Sequence, residues 1–438
     1  MIAILAAGEE APAGVRLLDA LLLSGGFHAT TVVLGTTLLG IAAGVVGTFA
    51  LLRRRALLAD AAAHATLPGL AGAFLVMGWL GIEGRWSPGL LLGAGLAAAL
   101  GVLAIRAIVR ATRLGEDAAI GTVLSVFFGA GMVLLGVVAR HPRGEAAGLE
   151  DSIFGAAATM LPGDVVLLAV VAGIAVLAAV LLLKELRLLC FDEEFGRVIG
   201  RPLGAIDAIL LGLILLVVLA GLGSVGMLLV VGLLVIPPAA AGFWSDRIGR
   251  MVPIAAAVGG ASGWIGSAIS ASAPRLPTGP MIVLVAASIL VASALLAPRR
   301  GVLATAATRL SLRRRIAVDH LVEALSERDD RGWPLASIAR ARGWGGATAA
   351  LVLRAARVEG LVAGPSTALR PTPRGRARGL AVRRNHRLWK AYLVRFAEVA
   401  PSHVDLTAER VEHLLAPEIV RELERSLGEE VASDGGRS

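Results

Sequence analysis

The stretch Arg53-Arg54-Arg55-Ala-Leu-Leu-Ala-Asp60-Ala-Ala-Ala-His64-Ala-Thr-Leu-Pro68-Gly69 sets three cations, then a carboxylate and an imidazole, at the start of a long apolar run. Residues four apart share a helical face, so Asp60 and His64 are presented together. An ionised group in a bilayer is costly and faces a cavity, a partner or a bound ion. Two readings fit. The pair is satisfied mutually beside the arginines, or it is a ligand set for a divalent ion such as Mn²⁺, Zn²⁺ or Fe²⁺, which carboxylate and imidazole suit better than an alkali cation.

Around this stretch the chain is membrane-like. Of 438 residues, 56% are hydrophobic and 17% charged, against about half and about a quarter in soluble domains. Apolar runs of the length a bilayer requires, about 20 residues, fall near 29–52, 57–81, 88–109, 117–139, 163–183, 204–221, 223–243, 251–272 and 279–297. The expected fold is an all-α polytopic membrane protein with about nine transmembrane helices. One set of loop ends carries Arg53, Arg54, Arg55, Arg106, Arg110, Arg113, Lys184, Arg187, Arg197, Arg201, Arg247, Arg250, Arg299 and Arg300. The other holds only Arg16, Arg85, Arg140, Arg143 and Arg275. This bias predicts an N-terminus outside the cell membrane and a C-terminus in the cytosol. Segment 1–28, with Glu9 and Glu10 and no basic n-region, does not read as a cleaved signal.

Small residues mark close helix approach: Gly40 and Gly44 with Gly47, and Gly129 with Gly131. Pro237 and Pro238 remove backbone donors inside the 223–243 run, which predicts a kinked or broken helix. The single cysteine, Cys190, excludes an intrachain disulfide and a thiolate zinc cluster. No G-x-x-x-x-G-K-[ST] occurs, and Lys184 and Lys390 are the only lysines, so ATP hydrolysis is expected from another chain.

Beyond Pro298 the composition changes. Residues 299–314 read as a linker. From 315 onward the chain is charged, amphipathic and without membrane-length runs, a soluble cytosolic domain. Residues 315–375 read as winged-helix-like: a helix, a second at Leu335 to Ala341, a turn Gly343-Trp344-Gly345-Gly346, a third at Ala347 to Val358 closed by Gly360, and a hairpin over Leu361 to Arg374. Residues 376–428 read as helical. There Thr407 can cap a helix with Glu409, Glu412 and His413 on one face, and His386 on the preceding helix can complete an oxygen/nitrogen metal site. A solvated charged face is the competing reading. Residues 429–438 read as a disordered tail. Arg340, Arg342, Arg354 and Arg357 could meet DNA phosphates, but no base-reading Asn/Gln pair accompanies them. Gating of transport is preferred to DNA binding.

The Arg53-to-Gly69 stretch resembles the signature of the manganese/zinc/iron ABC-3 permeases. So do Gly115-Glu116-Asp117-Ala-Ala-Ile-Gly121, Phe191-Asp192-Glu193-Glu194-Phe195, Ser245-Asp246-Arg247-Ile-Gly-Arg250 and Leu276-Pro-Thr-Gly-Pro280, in order across nearly all of 29–298. The resemblance implies that Asp60 and His64 help form the metal site or gate of the permeation path. It implies that Phe191 to Gly204, with Asp192, Glu193, Glu194, Phe195, Val198 and Arg201, docks as a coupling helix on an ABC ATPase subunit. The same family implies an extracytoplasmic metal-binding solute-binding protein and a second permease copy, identical or not. No cofactor is expected to be bound permanently; manganese, zinc or iron is the cargo.

The cytosolic half resembles the diphtheria-toxin-repressor and manganese-regulator family, through Arg383-Arg384-Asn385-His386-Arg387-Leu388 followed by Glu409, Glu412 and His413. That resemblance implies a regulatory metal on these residues, with Asp319, His320 and Glu323 as first-helix candidates. Lys390 departs from the pattern, standing where an acidic residue is expected. The expected function is the permease subunit of an ABC importer for a divalent transition metal, not an enzyme, with a fused metal-sensing domain. A membrane-anchored metal-dependent transcription regulator is the alternative.

Overall fold

A computed structural model of the chain describes residues 13–24, 26–81, 87–140, 160–273, 276–326, 332–396, 418–423 and 425. The chain divides into two compact units, Met1–Ala304 and Thr305–Ser438.

The first unit is helical throughout its described residues: α1 (Ala13–Leu21), α2 (Phe27–Leu52), α3 (Ala56–Trp79), α4 (Ser87–Ala111), α5 (Glu116–Ala139), α6 (Pro162–Leu181), α7 (Leu183–Phe191), α8 (Glu193–Val198), α9 (Leu203–Val225), α10 (Met227–Trp244), α11 (Ile248–Ser272) and α12 (Thr278–Leu296). Among the described residues eight helices are long and apolar enough to cross a membrane: α2 to α6, α9, α11 and α12. The ninth expected span corresponds to α10, which at 18 residues extends only ~27 Å at the α-helical rise.

The break before α10 lies later than the sequence pattern placed it. The chain stays helical through 221–223 and turns at Gly226, whose φ of +89° favours glycine. Gly221 is small for another reason, since a Cβ there would run into Val230 of α10. Of the kinked or broken helix expected at Pro237 and Pro238, the break does not occur: α10 is continuous through both. Pro238 has no N–H to give the Leu234 carbonyl, and this oxygen lies against Gly47 of α2, where any Cβ would collide with it. Backbone contact of this kind supports a proline inside a membrane helix.

Helix α2 is the hub of the bundle, packed on α6, α9, α10 and α11. Its approach to α11 is set by small residues: a Cβ on Gly40 would strike the Gly259 carbonyl, and one on Gly44 the Ala255 carbonyl. Without a hydrophobic driving force in lipid, such backbone proximity is what holds helices together. Gly131 likewise meets Leu67 and Pro68 of α3, whereas Gly129 faces open space, so the close approach expected there is absent. Gly44→Val should cost roughly 2 kcal/mol or more by overpacking and lower the unfolding midpoint in detergent. Gly72→Val, where a Cβ meets nothing within 4 Å, should not. Equal midpoints for the two variants would remove the packing argument.

Helix α2 ends in a six-to-one turn. The Arg55 amide donates to Ala50 O at 2.8 Å and the Arg54 amide to Leu51 O at 2.9 Å. The turn needs a left-handed residue, normally glycine; here Arg54 takes it, at φ +58°. That costs about 1 kcal/mol and sends Arg53 and Arg55 back toward the bundle.

The second unit comprises α13 (Val302–Ser326), α14 (Leu335–Ala341), α15 (Gly346–Val358), β1 (Val362–Ala363), β2 (Arg370–Pro371) and α16 (Pro373–Phe396). Its core joins Val318, Leu321, Val322 and Leu325 of α13 to Ile338, Val352, Leu353, Leu361 and Leu369. The α13 residues recur at three and four, the period of a one-sided helix. Strands β1 and β2 pair antiparallel, and Trp333 bridges Leu369. Helix α15 closes on Gly360 at φ +67°, with Leu361 N bonded to Ala356 O at 2.9 Å and Gly360 N to Arg357 O at 3.0 Å, a Schellman pair.

Candidate metal site and the ionic network beside it

Asp60 and His64 lie in the second and third turns of α3, with His64 Nε2 3.5 Å from Asp60 Oδ1. The His64 ring stands edge-on to Phe128 of α5, centroids 5.2 Å apart and planes at 88°. Its Nδ1 is buried and has no hydrogen-bond partner. Pro68, four residues on, has no N–H to offer the His64 carbonyl. The imidazole therefore has a carboxylate at one nitrogen, an unfilled lone pair or N–H at the other, and a backbone acceptor released above it. Buried polar groups are rarely left so. Among the described residues no three His, Cys, Asp or Glu side chains converge to hold an ion. Two donors alone would leave most of an ion's coordination open, the weak hold that an ion in transit requires. Helix α3 is wedged between α4 and α5, Gly69 crossing Gly93 of α4 so closely that neither tolerates a Cβ.

One turn before Asp60 the arginines converge on a residue that sequence reasoning passed over. Asp207 of α9 is 8% exposed. Its Oδ1 lies 2.5 Å from Arg55 Nη1 and 3.6 Å from Arg53 Nη2, and its Oδ2 3.7 Å from Arg106 Nη2 of α4. Arg55 Nε also reaches Glu116 at the start of α5, at 2.7 Å. A buried carboxylate survives only when paired, and this one ties together α2, α3, α4 and α9. A lone carboxylate in the second turn of an otherwise apolar span was the available signal.

Arg53 carries the network onward. It donates to Leu189 O at 2.9 Å and to Glu193 Oε2 at 2.8 Å. The Arg53 guanidinium holds the Glu193 carboxyl below the usual carboxylate range, against the effect of burial, with Arg197 adding to it. Of the six residues expected to couple to an ATPase, Glu193 therefore faces its own chain. Asp192 caps α8, accepting from Phe195 N at 3.1 Å, and Arg201 lies 3.7 Å from Glu185. Glu194 is exposed, as are Phe195 at 54% and Val198 at 84%, beside Phe191 and Ile199. Gly196 turns inward against Leu188 and Leu203. The segment thus pins one face to the bundle and leaves an apolar face bare. Burial pushes the neighbouring Cys190 thiol up to about 11, so it is inert at neutral pH.

In the second unit the first-helix candidates part company. Asp319 is committed to Arg378 Nε at 2.6 Å, and Arg378 also reaches Glu359 at 2.8 Å. His320 Nδ1 instead lies 3.5 Å from Glu323. The His320 hydrogen bond, then the charges of Arg342 and His386, hold the Glu323 carboxyl below its usual range despite burial. His386 is thus electrostatically in reach of Glu323 from α16. Arg342 approaches Glu323 Oε2 at 3.2 Å, standing where a cation would. Glu409, Glu412 and His413 lie outside the described residues. Of the arginines considered for DNA, Arg357 donates to Gly364 O at 2.8 Å and Arg342 is turned to Glu323, while Arg340 and Arg354 are exposed.

Comparison with known proteins agrees with this division. Residues 28–297 match the ABC 3 transport family, and residues 372–434 match the iron dependent repressor metal binding and dimerisation domain. The chain is 38% identical over 300 residues to the manganese transport system membrane protein MntC of Bacillus subtilis, covering 68% of each. It is 43% identical over 272 residues to the zinc transport system membrane protein TroC of Treponema pallidum, 62% of this chain and 90% of that one. Among solved structures it resembles PsaBC of Streptococcus pneumoniae, determined in complex with Fab, with a TM-score of 0.56 and 27% identity over 65% of this chain and 97% of that chain. The chain belongs to the ABC 3 transport family.

Proposed function

We propose that this chain is the permease subunit of an ABC importer for manganese, zinc or iron, with a cytosolic domain that senses the imported metal. The observation that carries the reading is the Asp60–His64 pair, a hard oxygen and a borderline nitrogen donor on one face of a helix inside an apolar bundle, with His64 Nδ1 buried and unfilled. A solute-binding protein delivers the ion outside and a second permease copy completes the path. The N-terminus lies outside the membrane and the second unit in the cytosol, as the loop arginines argue. Cells depleted of their own importers and supplied with this chain, its ATPase and its binding protein should recover uptake of at least one of the three metals. No gain over cells lacking the chain, for any of them, ends the proposal.

ATP hydrolysis comes from a separate subunit seated on α8. The bare Phe195 and Val198 suit such a partner, because apolar side chains gain by being covered. Phe195→Asp with Val198→Asp should abolish co-purification of the ATPase while membrane insertion is unchanged, since the new charges would be desolvated without partners. Wild-type recovery of the ATPase would count against this docking.

The residues that would hold a regulatory ion in the second unit are His320, Glu323 and His386, joined by Glu409, Glu412 and His413; as they stand, the first three are not gathered around one point. Imidazole and carboxylate donors on α13 and α16 suit Mn²⁺, Fe²⁺ or Zn²⁺, and a bound ion would supply a link between the two helices. Glu323 would have to release Arg342 to act as a donor, and binding would favour a state of lower transport only through differential affinity for the two states. In an Asp60→Ala, His64→Ala background, calorimetry on the full chain should show Mn²⁺ binding of roughly micromolar affinity. Glu323→Gln with His386→Ala should remove it. Binding that survives this change would place the ion elsewhere.

A further inference from the structure

The ionic network borders a cleft of about 390 Å³ that its own ion pairs do not fill. Five guanidinium groups line it, from Arg53, Arg55, Arg106, Arg110 and Arg197, against three carboxylates, Glu116, Glu193 and Asp207. Five against three leaves an excess of two positive charges. Asp207 is already divided among three arginines, of which Arg106 is the most distant at 3.7 Å. Arg53 Nε is buried without an acceptor, and Arg110 has no carboxylate partner among the described residues. Guanidinium groups gathered at one cleft in excess of its carboxylates, Arg106 half-buried and Arg110 at the open rim, are matched by a tetrahedral oxyanion, whose oxygens accept from forked N–H groups.

The surface leading to the cleft says where that oxyanion comes from. Helix α4 exposes Leu92 at 64%, Leu96 at 67%, Leu100 at 60% and Leu103 at 60%. Their spacing of four, four and three keeps them on one helical face. The same face continues through exposed Ala107 to Arg110. A leucine strip ending in a basic cleft has the polarity of a phospholipid: acyl chain along the strip, phosphate at its end. The volume suits a headgroup and not a whole lipid, and basic pockets between membrane helices take anionic headgroups.

We propose that this cleft binds the phosphate of an anionic phospholipid, held by Arg106 and Arg110, with the acyl chains lying along the leucine face of α4. Free phosphate shares the headgroup chemistry but leaves the leucine strip uncovered. The lipid thereby supplies the negative charge that Asp207, Glu116 and Glu193 do not, and it does so at the meeting point of α3, α4, α8 and α9.

The test uses the purified full-length chain and native mass spectrometry, with thermal unfolding as a second readout. Phosphatidylglycerol should remain bound and raise the unfolding midpoint, while phosphatidylcholine should do neither. Inorganic phosphate and glycerol 3-phosphate should stabilise far less at equal concentration. Arg110→Gln should weaken phosphatidylglycerol binding about ten-fold, the worth of one charge-assisted contact, and Arg110→Lys should restore part of it. Arg110 is exposed, so the fold is kept. Arg113→Gln, at the same helix end but outside the cleft, should leave binding unchanged. Equal retention of the two lipids would overturn the proposal, as would an equal loss in Arg113→Gln, which means diffuse surface charge. Full stabilisation by inorganic phosphate would overturn it too, by making the cleft a site for a soluble anion.

Discussion

Radiometal uptake should fall to background, a loss of about two orders of magnitude or more, when Asp60 and His64 are both replaced by alanine and the protein still reaches the membrane. Weakening a metal ligand's support alone costs 10–100-fold (order of magnitude) in affinity, and here both donors go. The intermediate substitutions separate a ligand role from a structural one. Asp60→Asn keeps the size and a hydrogen-bonding oxygen but removes the charge that draws a cation. His64→Gln keeps polarity but loses the imidazole lone pair. If the two residues served only each other, 3.5 Å apart, the Asn/Gln pair would still bond and transport would persist. If they carry the ion, each single change should lower uptake and the double change should abolish it. Wild-type uptake in the double alanine variant, at normal membrane level, would end the argument for this site.

Much of the bundle was legible because the bilayer is a demanding solvent. It requires long apolar helices with internally satisfied backbones, so their number and positions can be read from hydropathy. What hydropathy does not report is the role of a single small residue. The apolar runs place the break between α9 and α10 at 221–223, yet it is Gly226, inside the second run, that takes a left-handed φ. Gly221 is helical because Val230 needs the room. The choice between a kink and a break was hidden for a similar reason: whether Pro238 breaks α10 depends on what receives the Leu234 carbonyl, and that is Gly47, far away in sequence. The Asp60–His64 pair was visible through its four-residue spacing, while the orphaned Nδ1 and the edge contact with Phe128 depend on α5 and were not. Asp207 was missed because its partners, Arg53, Arg55 and Arg106, were read only as markers of orientation. The second unit shows the same limit: Asp319, His320 and Glu323 are indistinguishable as a run, and only the position of Arg378 assigns Asp319 to a structural ion pair.

Asp207→Asn should be among the most damaging single substitutions in the membrane unit, although it touches neither the Asp60–His64 pair nor the exposed face of α8. The change keeps the shape of the side chain and removes the one negative charge that Arg53, Arg55 and Arg106 share. Breaking a buried ion pair on one side costs about 3–5 kcal/mol, because the partner charges are left uncompensated in a poor solvent. The arginines would then repel one another or turn outward, releasing the Arg53 contact to Glu193 that fixes the position of α8 and the Arg55 contact to Glu116. Expected together are a markedly lower unfolding midpoint and loss of uptake, with ATPase binding weakened because α8 is no longer held. Adding Arg106→Gln to Asp207→Asn should recover part of the midpoint, since it removes one of the stranded cations; contacting residues in one network are expected to be non-additive in this way. An additive double mutant would mean that Arg106, the most distant of the three, is already satisfied elsewhere. An Asp207→Asn protein with the wild-type midpoint and wild-type uptake would show that the network is held by Glu116 and Glu193 alone, and that Asp207 is not its centre.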